Sequence, residues 1–579
     1  MHWIDWVILI LFLGYTIWDG SKRGRESENI EGFFLANRSM PWWAMGLSVM
    51  ATQASAITFI GTTGQAYVED MRFVQIYLAV PFAMIILCTT LVPFFNKLQN
   101  FSAYEVLEER FGLSTRLFTS FLFLLSRGLG LATIIAAPSY VLALLLDFPL
   151  TPTIIIIGIT ATLYTMVGGI SGVIRTDVKQ MAVMAFGLIF SFYWIVTSLP
   201  ADVSLGDPLY LAGTLNKLDA LDISFDIGEK YNIWTGVIAA LFLMLSYFGT
   251  DQSQVQRYLT AKSLKDARQS LLLSAYAKIP MQFFILLLGV MLYVFYIFGS
   301  APITFRPVDV SAQQQEEALA GEMLQQEYRE AYQNRKHAAR QLLDSRSPGE
   351  ARAFREADAH LNDVRRAELE RQERITGSSL NDTNYIFPYF ILNQVPIGII
   401  GLIVAGIFAA ALSSIDSELN ALSTIFIVDW YKRLDSKDRS EAWYLRSSRA
   451  VTVFWGLLAT LAALALGETR SIIELVNKIG SYFYGSILGV FILLLWVKRA
   501  NGFGALAGLI SGMSTVFLFD RIYDNASTGE WMLLAPWSEA PEGFEKTIEY
   551  LWLNPLGTGV VVGVGLLLSV AWDRFRGME

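Results

Sequence analysis

Apolar segments long enough to cross a lipid bilayer recur along almost the whole chain, and no other feature restricts the fold as strongly. A helix needs about 20 apolar residues to span a hydrocarbon layer about 30 Å thick. We place thirteen such segments, at residues 3–20, 41–67, 73–95, 117–146, 152–171, 177–198, 232–255, 269–298, 386–430, 449–467, 471–497, 502–522 and 552–572. Only 17% of the 579 residues are charged and 54% are hydrophobic, far from the balance of a soluble protein. The sequence therefore predicts an all-α polytopic membrane protein with about 13 transmembrane helices, embedded in a lipid bilayer.

Basic residues predict the orientation of these segments. Pairs of lysine and arginine follow the first, seventh, ninth, eleventh and last segments: Lys22 and Arg23, Arg257 and Lys262, Lys432 and Arg433, Lys498 and Arg499, and Arg574 and Arg576. If the segments alternate across the bilayer, all these pairs lie on one side, which the positive-inside rule identifies as the cytoplasm. The prediction is an N-terminus outside and a C-terminus inside, in a plasma membrane, with a bacterial inner membrane favoured.

One long polar stretch interrupts the apolar pattern. From about residue 305 to 384 the composition changes to Glu, Arg, Gln and Ala. A thin apolar stripe within it predicts a helical hairpin. The hairpin turns at "SRSPGEAR", where Ser347, Pro348 and Glu350 match a capping box with proline at the first helical position. The predicted orientation places this insertion outside, where it either caps the protein or binds an external partner.

The rarity of some residue types excludes several functions. The single cysteine, Cys88, cannot form an intramolecular disulfide, and the three histidines all lie outside the apolar segments. A histidine metal site and an intramembrane histidine relay are therefore not expected. The sequence has no nucleotide-binding loop and no nucleophile constellation. We predict neither an enzyme nor a nucleic-acid partner.

Polar residues inside the ninth segment predict a binding site, because every polar group in hydrocarbon needs a partner. In "ALSSIDSELN", Ser413, Ser414 and Ser417 share one helix face with Ala410. Such hydroxyls either bond a neighbouring helix or bind a hard cation such as Na⁺. The cation interpretation requires free backbone carbonyls from a broken helix nearby.

The second segment supplies a candidate for that broken helix. Polar residues interrupt its apolar pattern in "MATQASAITFIGTTGQAY", and Gly61 and Gly64 weaken the helix. Discontinuous helices of this kind mark ion sites in transporters. Two unlinked segments therefore predict the same kind of site.

Four longer motifs resemble the sodium/solute symporter family, which includes carriers of sugars, proline, sialic acid and monocarboxylates. They are "FFLANRSMPWWAMGLSVMATQASAITFIG", "YTMVGGISGVIRTDVKQ", "YFGTDQSQVQRYLTAKSLKDAR" and "AGIFAAALSSIDSELNALSTIFIVDWYKR". The resemblance covers nearly all of the chain outside the insertion. It implies five helices and five more in inverted repeat, formed by segments two to six and seven to eleven. The chain then divides into a peripheral first helix at 1–22, the first repeat and the start of the second at 41–304, the insertion at 305–384, the rest of the second repeat at 385–497, and two peripheral helices at 498–579.

The resemblance also implies ligands for Na⁺, the co-transported ion. The site common to the family falls on the carbonyls of Ala51, Ala54 and Ala410 and the hydroxyls of Ser413 and Ser414. Some members hold a second Na⁺, for which Asp177 and Ser417 are candidates. Asp416 stands where those members usually have serine. Its carboxylate either strengthens a second cation site or pairs with a basic residue.

Several residues are candidates for binding the transported solute. The resemblance to sugar carriers places their sugar-binding positions at Thr58, near Tyr77 and at Asp251, and these departures weaken a hexose assignment. Gln53 offers hydrogen bonds. Lys278 either contacts the solute, as in sugar carriers, or reaches toward the membrane surface.

Two aromatic residues, Tyr77 and Tyr482, are candidates for gating the cavity or stacking on the solute. Most aromatic residues at helix ends anchor a protein at the membrane interface instead.

Arg127, near the middle of the fourth segment, bears on the charge of the solute. An uncompensated arginine there costs at least about 3 kcal/mol. Its guanidinium either clamps a substrate carboxylate or pairs with an acidic side chain of the bundle. Sialic acid carriers of the family use an arginine on this helix, about one turn further along. We predict Na⁺-coupled import of an organic anion by alternating access, with a sugar or polyol as the first alternative and an amino acid or other small solute as another.

Two functions from other classes remain open. A transporter-like sensor or scaffold would act through residues 305–384, since the tail after Trp572, "DRFRGME", is short for a signalling domain. A sodium leak channel is the other, because an ion site alone does not guarantee coupling.

Overall fold

The computed structural model describes residues 1–24, 29–146, 148–204, 206–306, 315–377, 381–437, 439–466, 472–525, 530–535, 541 and 544–576. The first half of the chain forms helices α1 (Trp3–Gly24), α2 (Ile30–Leu35), α3 (Trp42–Gln53), α4 (Ala56–Val68), α5 (Ala79–Thr89), α6 (Leu91–Leu98), α7 (Glu105–Phe111), α8 (Leu113–Leu146), α9 (Leu150–Thr197), α10 (Asp207–Thr214), α11 (Ala240–Gly249), α12 (Gln252–Leu259) and α13 (Leu264–Phe298). The second half forms α14 (Gln315–Ser345), α15 (Pro348–Thr376), α16 (Ile386–Gln394), α17 (Ile399–Ile425), α18 (Lys432–Leu434), α19 (Glu441–Ala465), α20 (Ile472–Trp496), α21 (Gly502–Phe519) and α22 (Leu553–Arg576).

Shorter elements join these helices. In the part of the chain that the structure describes, four 3₁₀ turns lie at Ala36–Arg38, Arg72–Leu78, Thr383–Tyr385 and Tyr550–Trp552, and two π-helical turns lie at Thr235–Ala239 and Phe426–Tyr431. A small antiparallel sheet between α21 and α22 has strands β1 (Ile522–Asp524), β2 (Trp531–Leu533) and β3 (Glu545–Lys546) in the order β2-β1-β3. In this sheet Tyr523 pairs with both Met532 and Lys546. The prediction of an all-α chain missed the sheet.

Ten helices in the described residues are long and apolar enough to cross a membrane, or eleven if one bent pair counts as a single span. The bent pair is the predicted second segment. Two features explain the difference from thirteen. The predicted fifth and sixth segments lie in one element, α9, and the predicted seventh forms only a short apolar helix, Thr235–Gly249.

Gly169 explains how α9 accommodates two predicted segments. Its φ of +54° and ψ of −167° are not helical, so the chain kinks there. A Cβ at this position would lie 2.6 Å from the carbonyl oxygen of Phe33. Glycine is therefore required both by its backbone conformation and by the close approach of α2.

Helix α17 lies at the centre of the bundle. It contacts α1, α3, α4, α8, α9, α12 and α19, and its residues from Ile403 to Ile425 are buried. The polar residues predicted to form a site are therefore enclosed by other helices. Helices α21 and α22 pack mainly on each other and on α20 at the periphery.

The polar insertion contains the helical hairpin α14–α15. The Oγ atom of Ser347 accepts a hydrogen bond from the backbone N–H of Glu350 (3.3 Å) and caps α15. The hairpin is seated on the end of α13, where Nη2 of Arg335 donates to the carbonyl of Tyr296 (2.8 Å) and Nη1 lies 3.3 Å from Asp358.

Lys217 stabilises the C-terminal end of α4. Its Nζ donates to the carbonyls of Tyr67 (2.8 Å), Val68 (3.1 Å) and Glu69 (3.2 Å), and it lies 4.1 Å from the ring centre of Tyr293. Burial lowers the pKa of Lys217 to about 8, from an ordinary value of 10.5. The folded protein thus releases this proton at a lower pH than the unfolded chain does.

This pKa predicts a pH-dependent stability. Between about pH 8 and pH 10.5 the unfolded chain binds more protons at Lys217, so its contribution to stability rises with pH. We expect the Tm of the wild type to increase relative to that of Lys217→Met between pH 7.5 and pH 9.5, measured by thermal unfolding in detergent. Parallel Tm profiles for the two proteins would contradict this account.

Candidate functional site

The serine pair of α17 faces the break between α3 and α4. The Oγ atom of Ser413 donates to the carbonyls of Ala51 (3.4 Å) and Ala410 (3.1 Å). The Oγ atom of Ser414 donates to the carbonyls of Thr52 (3.3 Å) and Ala410 (3.3 Å). The structure thus brings together four of the five predicted Na⁺ ligands and adds the carbonyl of Thr52, which the sequence analysis did not select.

The carbonyls are available because α3 ends at Gln53. The axes of Trp42–Gln53 and Thr58–Val68 differ by 53°, and a helix end leaves its last carbonyls without partners in the helix. The carbonyl of Gln53 accepts from Oγ1 of Thr58 (3.0 Å) and Nζ of Lys278 (3.3 Å). Ala54, the fifth predicted ligand, lies in the turn itself.

These oxygens suit a sodium ion. They are uncharged carbonyls and hydroxyls, they converge from two helices, and the serines are buried. Hard cations prefer such oxygen ligands, and about five of them replace the hydration shell of Na⁺. The donor set therefore fits the ion that the sequence predicts.

A second polar cluster lies one turn further along α17. The Oγ atom of Ser417 is 3.2 Å from Oγ1 of Thr52, and Oδ2 of Asp177 accepts from Oγ of Ser48 (2.5 Å). Arg257 occupies the middle of this cluster. Its Nε donates to Ser48 (2.8 Å), its Nη2 lies 3.5 Å from Asp177, and Nη2 also contacts the hydroxyls of Thr52 and Ser417.

The position of Arg257 corrects the sequence analysis. We assigned it to a cytoplasmic cluster of basic residues, but its side chain is fully buried on α12, between α3, α9 and α17. The pattern failed because Arg257 follows an apolar segment, as a residue in a cytoplasmic loop would. A second Na⁺ at Asp177 and Ser417 stays a prediction, since a guanidinium already contacts both.

Asp416 faces α9. The hydroxyl of Tyr164 donates to its carboxylate and lies 3.3 Å from the carbonyl of Leu412. Ser417 donates to Oδ1 of Asp416 (3.1 Å). The nearest partners of Asp416 are hydroxyl groups. The structure therefore shows neither of the two roles considered for it, a ligand of a second cation or a partner of a basic residue.

A cavity lies beside the serine pair. Its wall comes from α3, α4, α8, α11, α17, α20 and the 3₁₀ turn before α5, and consists of Thr52, Gln53, Ser55, Thr58, Tyr77, Arg127, Ile134, Leu243, Met244, Tyr247, Ser414, Glu418 and Tyr484. Four predicted substrate residues, Gln53, Thr58, Tyr77 and Arg127, therefore share one cavity. Ser414 and Thr52 belong both to this wall and to the ion site.

The other three predicted substrate residues lie around or away from this wall. Nζ of Lys278 donates to the carbonyl of Gln53 and lies 5.1 Å from the ring centre of Tyr77. Asp251 does not line the cavity but pairs with Arg127, which does. Tyr482 lies elsewhere, where its hydroxyl donates to Oδ2 of Asp520 (2.6 Å).

Arg127 is held by two carboxylates. Its Nε donates to Oδ2 of Asp251 (2.5 Å), and its Nη1 lies 3.1 Å from Oε1 of Glu418. The rings of Tyr247 and Tyr484 each have their centres 5.3 Å from the guanidinium carbon. Pairing with acids of the bundle, one of the two explanations given for Arg127, is the arrangement that the structure displays.

The sequence contains a partial signal for two cavity residues that were not predicted, Glu418 and Tyr484. Glu418 follows Ser414 by four residues, so the two share a helix face toward the cavity. Tyr484 follows Tyr482 by two residues on α20, which turns the side chain to another face of the helix. The apolar pattern of α20 alone did not tell which tyrosine faces the cavity.

Comparisons with known proteins agree over most of the chain. The profile described as "Sodium:solute symporter family" matches residues 33–327 and 366–512. The unmatched interval between these ranges falls inside the α14–α15 hairpin. The match covers more than half of the chain and includes both sides of the ion site.

Individual relatives carry different solutes. A sodium/sialic acid symporter of Proteus mirabilis is 29% identical over 526 residues, covering 89% of this chain and 88% of the relative. One of Aliivibrio fischeri is 27% identical and covers 89% and 87%. A sodium/glucose cotransporter of Vibrio parahaemolyticus is 24% identical and covers 88% and 82%.

A solved structure is similar over nearly the full length. It is a Na⁺-coupled sialic acid symporter in a substrate-bound outward-open state, with a TM-score of 0.73 and 26% identity. The alignment covers 98% of each chain.

Proposed function

This chain belongs to the sodium:solute symporter family, and from that premise we propose that it imports a small organic solute together with Na⁺ by alternating access. Members of this family are multi-pass secondary transporters, not enzymes. The observation that carries the proposal is the serine pair of α17 against the free carbonyls of Ala51 and Thr52. It joins two helices through oxygens that suit a sodium ion.

Coupling follows from the shared wall. Ser414 and Thr52 belong to both the ion site and the cavity. An ion bound there ties α17 to the α3–α4 break and fixes that side of the cavity, so ion and solute favour the same conformation. The membrane potential adds about 2.3 kcal/mol per elementary charge per 100 mV to inward movement of the ion. Separation of the two helices on inward opening releases both.

The proposal includes the predicted orientation and the inverted repeat. The hairpin α14–α15 then lies outside, where binding an external partner stays a prediction. With Cys88 replaced by serine, we expect Arg355→Cys in the hairpin to react with an impermeant maleimide in intact cells. The matched Lys437→Cys, also exposed, is expected to react only after permeabilisation. The reverse pattern would invert the topology.

The sialic acid symporters among the relatives support a solute with a carboxylate, the organic anion predicted from the sequence. A sugar or polyol is supported by the glucose cotransporter. Arg127 already pairs with two acids of the bundle. The solute class therefore depends on all the charged groups of the site and not on Arg127 alone.

Uptake into proteoliposomes tests the function. A labelled panel of lactate, pyruvate, sialic acid, glucose, inositol and proline is offered under an inward Na⁺ gradient and then under an inward K⁺ gradient. We expect accumulation of at least one solute with Na⁺ only. Solute accumulation that is equal in both gradients would contradict symport, and Na⁺ flux without any solute would favour the leak channel.

A further inference from the structure

We propose that the transported solute carries a protonated amino group, which binds Glu418. This inference rests on the proposed function and specifies the solute class at the same cavity. It starts from the unpaired oxygen of Glu418 and from the sharing of Arg127 between two acids.

Glu418 presents an acceptor to the cavity. Its side chain is 2% exposed and lines the wall. Its Oε1 pairs with Arg127, while Oε2 has no hydrogen-bond partner. A buried carboxylate oxygen without a donor is costly, so a ligand that brings an N–H donor and a positive charge is favoured there.

Arg127 does not cancel this carboxylate. Its guanidinium also pairs with Asp251, so one cation is shared by two acids. The rings of Tyr247 and Tyr484 both contact the guanidinium and also line the cavity. Electron-rich ring faces attract cations. The immediate surroundings of Glu418 are therefore suited to a cationic group.

Two neighbouring carboxylates each accept several hydrogen bonds. Asp251 accepts from the N–H (2.9 Å) and the hydroxyl (2.7 Å) of Ser253 in addition to Arg127. Asp416 accepts from the hydroxyls of Tyr164 and Ser417. Oε2 of Glu418 and Oδ1 of Asp177 have no hydrogen-bond partner, and of these two residues Glu418 is the one that lines the cavity.

Matched solutes test the inference in proteoliposomes that contain the full chain. Alanine with lactate, and serine with glycerate, differ by an ammonium in place of a hydroxyl on the same frame. The panel adds the other common amino acids, sialic acid, glucose and the amine ethylamine. We expect Na⁺-driven accumulation of one or more solutes that carry an ammonium group, and of neither matched hydroxy acid.

A variant locates the effect. Glu418→Gln should lower the affinity for that solute at least about 30-fold, the cost of removing one charge from a buried pair. Its thermal stabilisation by Na⁺ alone should persist. Glu109→Gln, an exposed acid on α7, should change neither. If Glu418→Gln does not fold, the affinity of Glu418→Asp and the uptake panel of the wild type still test the inference.

The outcomes separate the two proposals. Na⁺-driven accumulation of an organic anion or a sugar, with no ammonium-bearing solute taken up, overturns the inference and leaves symport intact. Absence of Na⁺-driven accumulation for every member of the panel, with Na⁺ still stabilising the protein, overturns both.

Discussion

Replacement of both Ser413 and Ser414 by alanine is expected to abolish Na⁺-driven accumulation while the protein stays folded. The variant removes two of the proposed oxygen ligands, and loss of even an outer partner of a metal site costs about 10- to 100-fold in affinity. We expect the Na⁺ concentration for half-maximal uptake to rise at least about 100-fold. The single variant Ser414→Ala should show a smaller rise.

A serine elsewhere on α17 provides the control. Ser423 is buried like the pair, but its hydroxyl donates to the carbonyl of Ser448 on α19 (2.9 Å). Ser423→Ala should keep the Na⁺ dependence of the wild type. Stabilisation by Na⁺ in thermal unfolding gives a second readout that needs no solute. An unchanged Na⁺ dependence in the double variant would remove both serines from the ion site.

Arg257→Met is expected to have the largest effect on stability. The side chain is fully buried and connects residues of α3, α9, α12 and α17. Its removal leaves the carboxylate of Asp177 buried without its cation, which costs about 3–5 kcal/mol. We expect a large loss of folded protein, measured by size-exclusion chromatography and thermal unfolding in detergent.

A double variant tests the reason for that loss. Asp177→Asn removes the uncompensated charge while keeping the size of the side chain. Arg257→Met with Asp177→Asn should therefore be more stable than Arg257→Met alone, with a coupling of at least about 1 kcal/mol in the cycle. Equal stability of the single and double variants would show that packing of Arg257, not its charge, holds the helices together.

Helices were easier to predict from the sequence than the contacts between them. Hydropathy is a local property, so the segments that became α8, α13 and α17 were recognisable from composition alone. The kink at Gly169 was not, because it depends on the approach of Phe33 from α2. The short helix Thr235–Gly249 begins with a π-helical turn that periodicity does not encode.

The ion site was predictable for the same local reason. Ser413 and Ser414 are adjacent in sequence, and the glycines and threonines that interrupt the second segment lie within one short stretch. Arg127 was different, since its partners Asp251 and Glu418 are far away along the chain. Only the packing of α8 against α17 and α20 shows that this arginine is already neutralised.

The seating of the α14–α15 hairpin has a practical consequence for electron cryomicroscopy. A membrane protein of 64.7 kDa that is largely enclosed by a detergent micelle offers few features for aligning particle images. Here Arg335 fixes the hairpin to the carbonyl of Tyr296 at the end of α13, and Phe354 is completely buried. The hairpin should therefore project beyond the micelle as an asymmetric landmark, and an antibody fragment raised against it would enlarge that landmark.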